Sequence, residues 1–219
     1  MTRTLDEFDA AHANPQQGLT WGVGVHPAVP AALRQWSEER FLLAARRAAV
    51  VGEVGLDRRG DRVAQRAIFE TILSEAPAAL ISVHSTGRTD EVVDIIEKHP
   101  HPGVILHWFT GSREDAQRAA QAGCYFSINA AMADVQMTTL PLDRILPETD
   151  FPSSRSRTQA RAPGDIAALE ATVVRLTGHS PMDVRRRWYQ NLAAISQRAG
   201  VQHRLSADLR SLLVAATEE

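Results

Sequence analysis

Five ionisable side chains of this sequence stand at the ends of short apolar runs. They are His26, Glu53, His84, His107 and Asp150. A carboxylate at the end of a buried strand is costly unless another group compensates its charge, and a metal ion would do so. Imidazole and carboxylate together suit zinc, manganese or magnesium. We therefore predict a metal site formed by Glu53, His84, His107 and Asp150. The alternative is a set of ordinary strand ends whose polar groups point to water.

Strand-like and helix-like segments alternate along the chain, and this order must position those residues. The predicted strands are Leu19–Val25, Val50–Val51, Leu80–Val83, Val104–Leu106, Tyr125–Ile128 and Ile145–Leu146. The predicted helices are Leu5–His12, Ala31–Ala48, Arg62–Glu75, Asp90–Lys98, Ser112–Ala122, Asp165–Thr177, Met182–Ala199 and Leu205–Ala216. Such alternation indicates a parallel sheet with crossover helices. Polar groups at five separate strand ends favour a TIM-type (β/α) barrel over a doubly wound sheet, which uses one switch point.

Composition narrows the class of protein. A chain of 219 residues is long enough for one domain with a large core, so residues 1–219 are predicted to form a single domain. The net charge of −2 gives no global attraction to nucleic acid, so any polyanion needs a local patch or metal ions. The single cysteine, Cys124, excludes an internal disulfide and a multi-cysteine zinc site. Residues 1–17 lack the apolar segment of a signal peptide and no run is long enough to cross a membrane, which predicts a soluble cytoplasmic protein.

Six short motifs around these strand ends carry a family resemblance. In order they are Gly24–Pro27, Gly52–Asp57, Val83–Ser85, His107–Ser112, Tyr125–Asn129 and Glu148–Asp150. They resemble the motifs of the TatD-type metal-dependent DNases, and Asn191–Ile195 resembles the C-terminal signature of that family. The resemblance covers about residues 22–199. It implies a (β/α) barrel, two divalent metal ions and hydrolysis of DNA phosphodiesters. Within the family, Trp108 and the connection after Asp150 most resemble the TatD-like subunit of the Qat anti-phage defence system.

The resemblance also implies roles for the strand-end residues. Glu53 would hold or bridge the ions, and His84 and His107 would bind them as neutral imidazoles. Asp150 would bind metal and act as the base for the attacking water, whose pKa a metal ion lowers from about 15.7 towards 7. The implied substrate is DNA, at single strands or ends rather than within an intact duplex. Other defence-system proteins are the implied partners.

Three residues near these positions are candidates for binding substrate. His26, and the helix N-terminus that follows Ser112, could meet a phosphate. Trp108 could stack on a base. Each has a plainer alternative, because Ser112 could be an ordinary N-cap and Trp108 could be packing. The loop Ser153–Arg161 carries three arginines and no acid, so it could hold a DNA backbone or be a solvated mobile loop.

One departure from the family pattern concerns the start of the chain. The family opens with a His-x-His pair on its first strand, whereas here the Gly-x-His-Pro motif already begins at Gly24 and no histidine pair precedes it. We therefore expect the first βα unit to be missing, one bound ion rather than two, and impaired catalysis. An open edge beside Leu19–Val25 would favour self-association or assembly with partners. Alternatively, Met1–Ala13 folds back over this edge with Leu5 and Phe8 facing inward.

Two further functions stay open at this point. The chain could be a catalytically weak assembly or binding subunit of a defence complex. It could also be a metal-dependent hydrolase with a substrate other than nucleic acid, because barrels of this type cleave several kinds of bond. The metal content of the purified protein would discriminate between an enzyme and an assembly subunit.

Overall fold

A five-stranded parallel sheet forms the centre of the computed structural model, which describes residues 1–16 and 18–218. The strands are β1 Val50–Gly55, β2 Leu80–His84, β3 Val104–Leu106, β4 Tyr125–Ile128 and β5 Ile145–Pro147. Each strand pairs in parallel with the next one along the chain, so the order in the sheet is β1-β2-β3-β4-β5. Crossover segments, most of them helical, join these neighbours, and this is the α/β arrangement of a TIM-type barrel. The predicted fold class is confirmed.

Eleven α-helices are seen in the described part of the chain. They are α1 Leu5–Ala13, α2 Pro30–Arg34, α3 Glu38–Ala45, α4 Arg62–Glu75, α5 Thr89–Lys98, α6 Arg113–Gln121, α7 Asp134–Met137, α8 Arg155–Thr158, α9 Ala167–Thr177, α10 Pro181–Arg198 and α11 Ala207–Thr217. Two 3-10 turns lie at Leu142–Arg144 and Gln202–Arg204. Short polar side chains begin several of the helices. For example, the Asp61 carboxylate accepts hydrogen bonds from the first turn of α4, and the Ser180 hydroxyl does so for α10.

Apolar side chains fill both sides of the sheet. Val51 and Val54 of β1, and Ile81 and Val83 of β2, are fully buried. Strands covered on both faces leave their carboxyl ends as the place where polar side chains reach a pocket. Within the described residues, no helix combines the length and apolar character that crossing a membrane requires.

The strand predicted at Leu19–Val25 is shorter in the structure. Its last residues lie beside β1, where Val23 N–H donates to Val50 O at 3.1 Å and Val25 N–H donates to Glu53 O at 3.1 Å. Only an isolated bridge joins Val23 to Val51, and Leu19 is 42% exposed. The apolar pattern of Leu19–Val25 therefore overestimates the length that pairs.

The single helix predicted at Ala31–Ala48 is two helices, and this prediction was wrong. Helix α2 ends at Arg34, and α3 begins after Ser37, whose hydroxyl accepts a hydrogen bond from Arg40 N–H at 3.3 Å. Apolar residues on both sides of the break share a helical spacing, which conceals it in the sequence. The N-cap preference of serine is the local signal for a new helix.

The N-terminal segment docks on the sheet beyond Val23. Thr2 N–H donates to Gly22 O at 3.0 Å, and His26 N–H donates to Arg3 O at 2.9 Å. Helix α1 packs on α3, and its residues Leu5 and Phe8 are 5% and 1% exposed. Leu5 and Phe8 thus face the core, as expected if Met1–Ala13 folds back, whereas self-association and a missing first βα unit stay predictions.

Candidate metal centre

Side chains from five strand ends meet in one pocket of about 340 Å³. They are His26, Glu53, His84, His107 and Asp150, and each is between 12% and 17% exposed. The parallel sheet brings them together because each lies near the carboxyl end of a strand or extended segment that points the same way. This convergence is the one predicted for Glu53, His84, His107 and Asp150, and the structure adds His26 to it.

Glu53 lies at the centre of this pocket. Its Oε2 atom is 3.5 Å from His26 Nε2, 3.2 Å from His84 Nδ1 and 4.0 Å from His107 Nε2. Two groups of three residues therefore share Glu53, one with His26 and His84 and the other with His107 and Asp150. In each group the possible ligand atoms lie within 4.8 Å of one another.

This donor set fits divalent metal ions. Imidazole nitrogens and carboxylate oxygens are among the ligands of zinc and manganese in proteins, and the carboxylates also suit magnesium. A carboxylate that belongs to two ligand groups is able to bridge two ions. The sequence predicted one ion, whereas the structure presents two candidate groups because His26 completes the first of them.

Two further carboxylates fix the orientation of the central imidazoles. Asp57 Oδ2 lies 2.7 Å from His84 Nε2, and Glu148 Oε2 lies 2.6 Å from His107 Nδ1. In both rings the other nitrogen faces Glu53. A histidine that binds metal usually gives its second ring nitrogen to a carboxylate or carbonyl, which fixes its tautomer.

No role was predicted for Asp57 or Glu148 from the sequence. Both lie in the quoted motifs, Asp57 four residues after Glu53 and Glu148 two residues before Asp150. A carboxylate so close to a predicted ligand is the signal that could have found them. Their partners lie on other strands, so the pairings themselves follow only from the fold.

The carboxylate of Glu148 is largely buried and is surrounded by hydrogen-bond donors. The Asn129 amide donates to Glu148 Oε1 at 2.7 Å, and the Ser127 hydroxyl donates to Oε2. The same Ser127 hydroxyl accepts the N–H of Trp108 at 3.3 Å. Burial favours the neutral acid, but His107 and these donors lower the pKa of Glu148, so it is charged.

Burial and neighbouring charges shift the pKa values of the pocket residues. Burial opposes charge on Glu53, yet the hydrogen bond from His84 and the charge of His107 lower its pKa to about 2. Burial also opposes charge on His107, but the carboxylates beside it, Glu148 first, raise its pKa to about 9. Burial lowers the pKa of His26 and raises that of Asp150.

Two residues of the pocket have left-handed backbone conformations that are unusual outside glycine. Trp108 has φ +41° and Asp150 has φ +46°. Such conformations cost free energy and cluster at functional sites, where the surrounding structure imposes them. Here each occurs at a strand end that carries a candidate ligand.

The remaining substrate-binding candidates have different environments. The Ser112 hydroxyl accepts the N–H of Asp115 at 3.0 Å, and the Asp115 carboxylate accepts the N–H of Ser112 at 2.9 Å. This capping box is the plainer alternative for Ser112, and Thr110 rather than Ser112 lines the pocket. The Ser153–Arg161 loop contains α8, and it places Arg157 against the ring of Trp108.

Comparison with known proteins gives several relatives. The chain is 28% identical over 166 residues to "Uncharacterized metal-dependent hydrolase YabD" of Bacillus subtilis strain 168, covering 68% of this chain and 61% of that protein. It is 27% identical over 160 residues to the 3'-5' ssDNA/RNA exonuclease TatD of Klebsiella pneumoniae strain 342, covering 66% and 57%. The matches thus span 57% to 61% of the length of these two relatives.

The fold is similar to that of solved structures as well. The TatD homologue YjjV of Escherichia coli K12 has a TM-score of 0.71 with 21% identity, covering 87% of this chain and 81% of that one. At this identity the likeness concerns the fold. The family described as TatD related DNase matches residues 3–197, which is most of the chain. This protein therefore belongs to the TatD-related DNase family.

Proposed function

We propose that this protein is a metal-dependent phosphodiesterase that hydrolyses DNA at single strands or strand ends. The observation that carries the proposal is the position of Glu53, whose carboxylate belongs to both candidate ligand groups at the same pocket. Two adjacent metal ions are a common means of hydrolysing phosphodiesters. The choice of substrate is supported by the relatives, since the one from Klebsiella pneumoniae is named a single-stranded DNA and RNA exonuclease.

The residues of the pocket would have different roles in such a reaction. His26, Glu53 and His84 would hold one ion, and Glu53, His107 and Asp150 the other. When bound, the ions would polarise the phosphodiester and make water more acidic.

Asp150 is the residue proposed to accept a proton from the attacking water. Its carboxylate lies in the pocket, 3.7 Å from His107 Nε2, and burial raises its pKa. A carboxylate beside the other candidate ligands would be within reach of the proton of the attacking water. Asp57 and Glu148 act indirectly, because they keep the imidazoles of His84 and His107 facing Glu53.

Hydrolysis of a labelled oligonucleotide tests this proposal. The purified chain is incubated with a 30-nucleotide single strand and with the same sequence as a blunt duplex, in manganese or magnesium and with a chelator. Metal-dependent cleavage of the single strand, abolished by Glu53→Gln, is the expected result. The matched control is Glu75→Gln, an exposed acid at the end of α4 that should retain activity. A wild-type protein that binds metal but leaves both DNA substrates intact would contradict the proposal.

A role in anti-phage defence is the finer part of the proposal. It rests on the resemblance of Trp108 and the connection after Asp150 to the Qat-type subunit. Partners are proposed to be other defence proteins, and action in the cytoplasm stays an expectation from the sequence. A plaque assay in cells that express this protein together with the other genes of its natural host distinguishes an enzymatic role from an assembly role. Glu53→Gln should abolish protection if catalysis is needed, whereas an assembly subunit would tolerate the change.

A further inference from the structure

One arginine at the rim of the metal pocket lies on an aromatic ring. The guanidinium carbon of Arg157 is 4.5 Å from the centre of the Trp108 ring, within the range of a cation–π interaction. Both side chains line the 340 Å³ pocket that contains Glu53 and Asp150. The pair therefore joins the strand end after His107 to the loop after Asp150.

The backbone holds Arg157 in this position. Ser154 N–H donates to Asp150 O at 2.9 Å, which ties the start of α8 to the residue that carries the candidate base. The buried Thr158 donates its hydroxyl to Thr149 O at 3.1 Å, so the end of α8 is tied to the same strand end. Arg157 lies between these two anchors, and its position relative to Asp150 is thus defined.

The charge of Arg157 is available to a ligand. Arg161 in the same loop pairs with Asp165, whereas the contact seen for Arg157 in the described residues is with the Trp108 ring and not with an acid. It is exposed and faces a pocket whose acids repel a polyanion unless cations are present. A guanidinium fixed by stacking is preorganised to bind phosphate oxygens with its planar N–H groups.

The same contact limits what Trp108 can do. The half-buried indole packs on the hydrophobic core, and Arg157 covers ring surface that a base would need. Stacking a nucleobase on Trp108 would require Arg157 to leave. The geometry favours an indole that supports the arginine over one that contacts a base.

We propose that Arg157, supported by Trp108, binds the phosphodiester next to the one held at Glu53, so that the site prefers an oligonucleotide to an isolated phosphodiester. The inference rests on the proposed function and names the substrate feature that the site recognises. It assigns phosphate recognition to Arg157 and a positioning role to Trp108. Arg155, two residues earlier on α8 and also exposed, is not among the residues that line this pocket, which makes it a matched control.

Binding and hydrolysis together test the assignment. Affinity for a fluorescein-labelled 12-nucleotide single strand is measured by anisotropy with calcium, and kcat/KM is measured with manganese for the same strand and for bis(4-nitrophenyl) phosphate. Arg157→Ala should weaken oligonucleotide binding about tenfold, as expected for loss of a charge-assisted contact. The slope of the logarithm of the binding constant against the logarithm of the salt concentration should become shallower by about 0.7. This is the value for one phosphate contact on a single strand. The ratio of kcat/KM for the oligonucleotide to kcat/KM for bis(4-nitrophenyl) phosphate should fall as well.

The other variants and a modified strand separate the possible roles. Arg155→Ala should match the wild type. Trp108→Leu should lose part of the oligonucleotide affinity that Arg157→Ala loses. Trp108→Phe should keep most of the wild-type affinity because a ring is retained. One neutral methylphosphonate at the linkage beside the scissile one should weaken binding to the wild type but not to Arg157→Ala. If an abasic site weakens binding and the methylphosphonate does not, Trp108 contacts a base and the inference is wrong.

The two proposals fail in different ways. If the wild type neither binds nor cleaves the oligonucleotide with metal present, the proposed function fails and this inference fails with it. If the wild type does both and Arg157→Ala loses no more than Arg155→Ala, only the inference on Arg157 is overturned. Thermal melts of each variant show that the comparison is between folded proteins.

Discussion

Glu148 accepts a hydrogen bond from Nδ1 of His107 at 2.6 Å and thereby turns Nε2 of the ring towards Glu53 and Asp150. Asp57 acts in the same way on His84, through Nε2 at 2.7 Å, and leaves Nδ1 for Glu53. The two imidazoles thus use opposite ring nitrogens to face one carboxylate. Asp57 and Glu148 therefore act on the imidazoles and are not needed as ligands themselves.

Glu148→Gln should lower metal affinity without unfolding the protein. Glutamine has nearly the same shape, but its amide has one acceptor oxygen where the carboxylate receives His107, Asn129 and Ser127. The orientation of His107 is then no longer enforced, and an outer partner of this kind is worth about 10–100-fold in metal affinity. Manganese titration followed by electron paramagnetic resonance measures the change.

Glu75→Gln is the control for this titration, since it removes the same charge at an exposed site. An unchanged manganese affinity in a folded Glu148→Gln protein would show that Glu148 serves packing alone. A large drop in melting temperature without metal would instead indicate that its main role is structural.

Metal stoichiometry should distinguish the shared ligand from the others. Glu53→Gln removes a ligand from both candidate groups, whereas Asp150→Asn alters only the group with His107. We therefore expect loss of both ions in the first variant and retention of one in the second. Elemental analysis after dialysis against zinc or manganese measures the bound metal. Equal losses in the two variants would mean that the groups do not act as separate sites.

Local patterns in the sequence predicted most elements that position the site. Helix α4 lies at the predicted Arg62–Glu75, and β3 and β4 lie at the predicted Val104–Leu106 and Tyr125–Ile128. These segments have clear periodicity and definite ends. The break near Ser37 was missed because a short helix and its successor share one apolar spacing. A cap residue inside a long periodic run is a weak signal by itself.

The convergence of the candidate ligands was predictable from the sequence, and the partners of those ligands were less so. Strand ends placed Glu53 and His107 together because a parallel sheet aligns its carboxyl ends. The pairing of Glu148 with His107 depends on neighbouring chain segments and ring rotation, which no spacing encodes. The contact of Arg157 with Trp108 arises from the path of a loop without periodicity. Such contacts need the three-dimensional structure.

Asn191 should prove to be a structural residue of the family signature. It is 3% exposed, and its amide donates to Leu142 O at 2.9 Å and to Ile145 O at 2.8 Å, which holds α10 against the start of β5. Asn191→Ala leaves these carbonyls without that donor, so the free energy of unfolding should fall by about 2–3 kcal/mol. Urea denaturation measures it, with the exposed Gln197→Ala as control. A change below about 0.5 kcal/mol, typical of surface substitutions, would contradict this role.

The thiol of Cys124 should be unreactive in the folded protein. The residue is fully buried, and burial raises its pKa to about 12. The thiolate is the reactive form, so at pH 8 almost none is present and reagents cannot reach the sulfur. Ellman's reagent should report no free thiol in buffer and one per chain in 6 M guanidinium chloride. Rapid labelling in buffer would show that the core around Cys124 opens easily.

Phe8 tests whether helix α1 is an integral part of the fold. Its ring is 1% exposed, and the preceding segment is bonded to Gly22 and His26 through the backbone. Phe8→Ala should lower the free energy of unfolding by about 3–5 kcal/mol, the usual cost of emptying a buried aromatic site. Phe8→Leu keeps most of the volume and should cost about 1.5 kcal/mol. Because release of this segment would uncover an apolar edge, Phe8→Ala should also associate at lower concentrations than the wild type in light scattering. A Phe8→Ala protein as stable and as monodisperse as the wild type would show that the segment is only loosely attached.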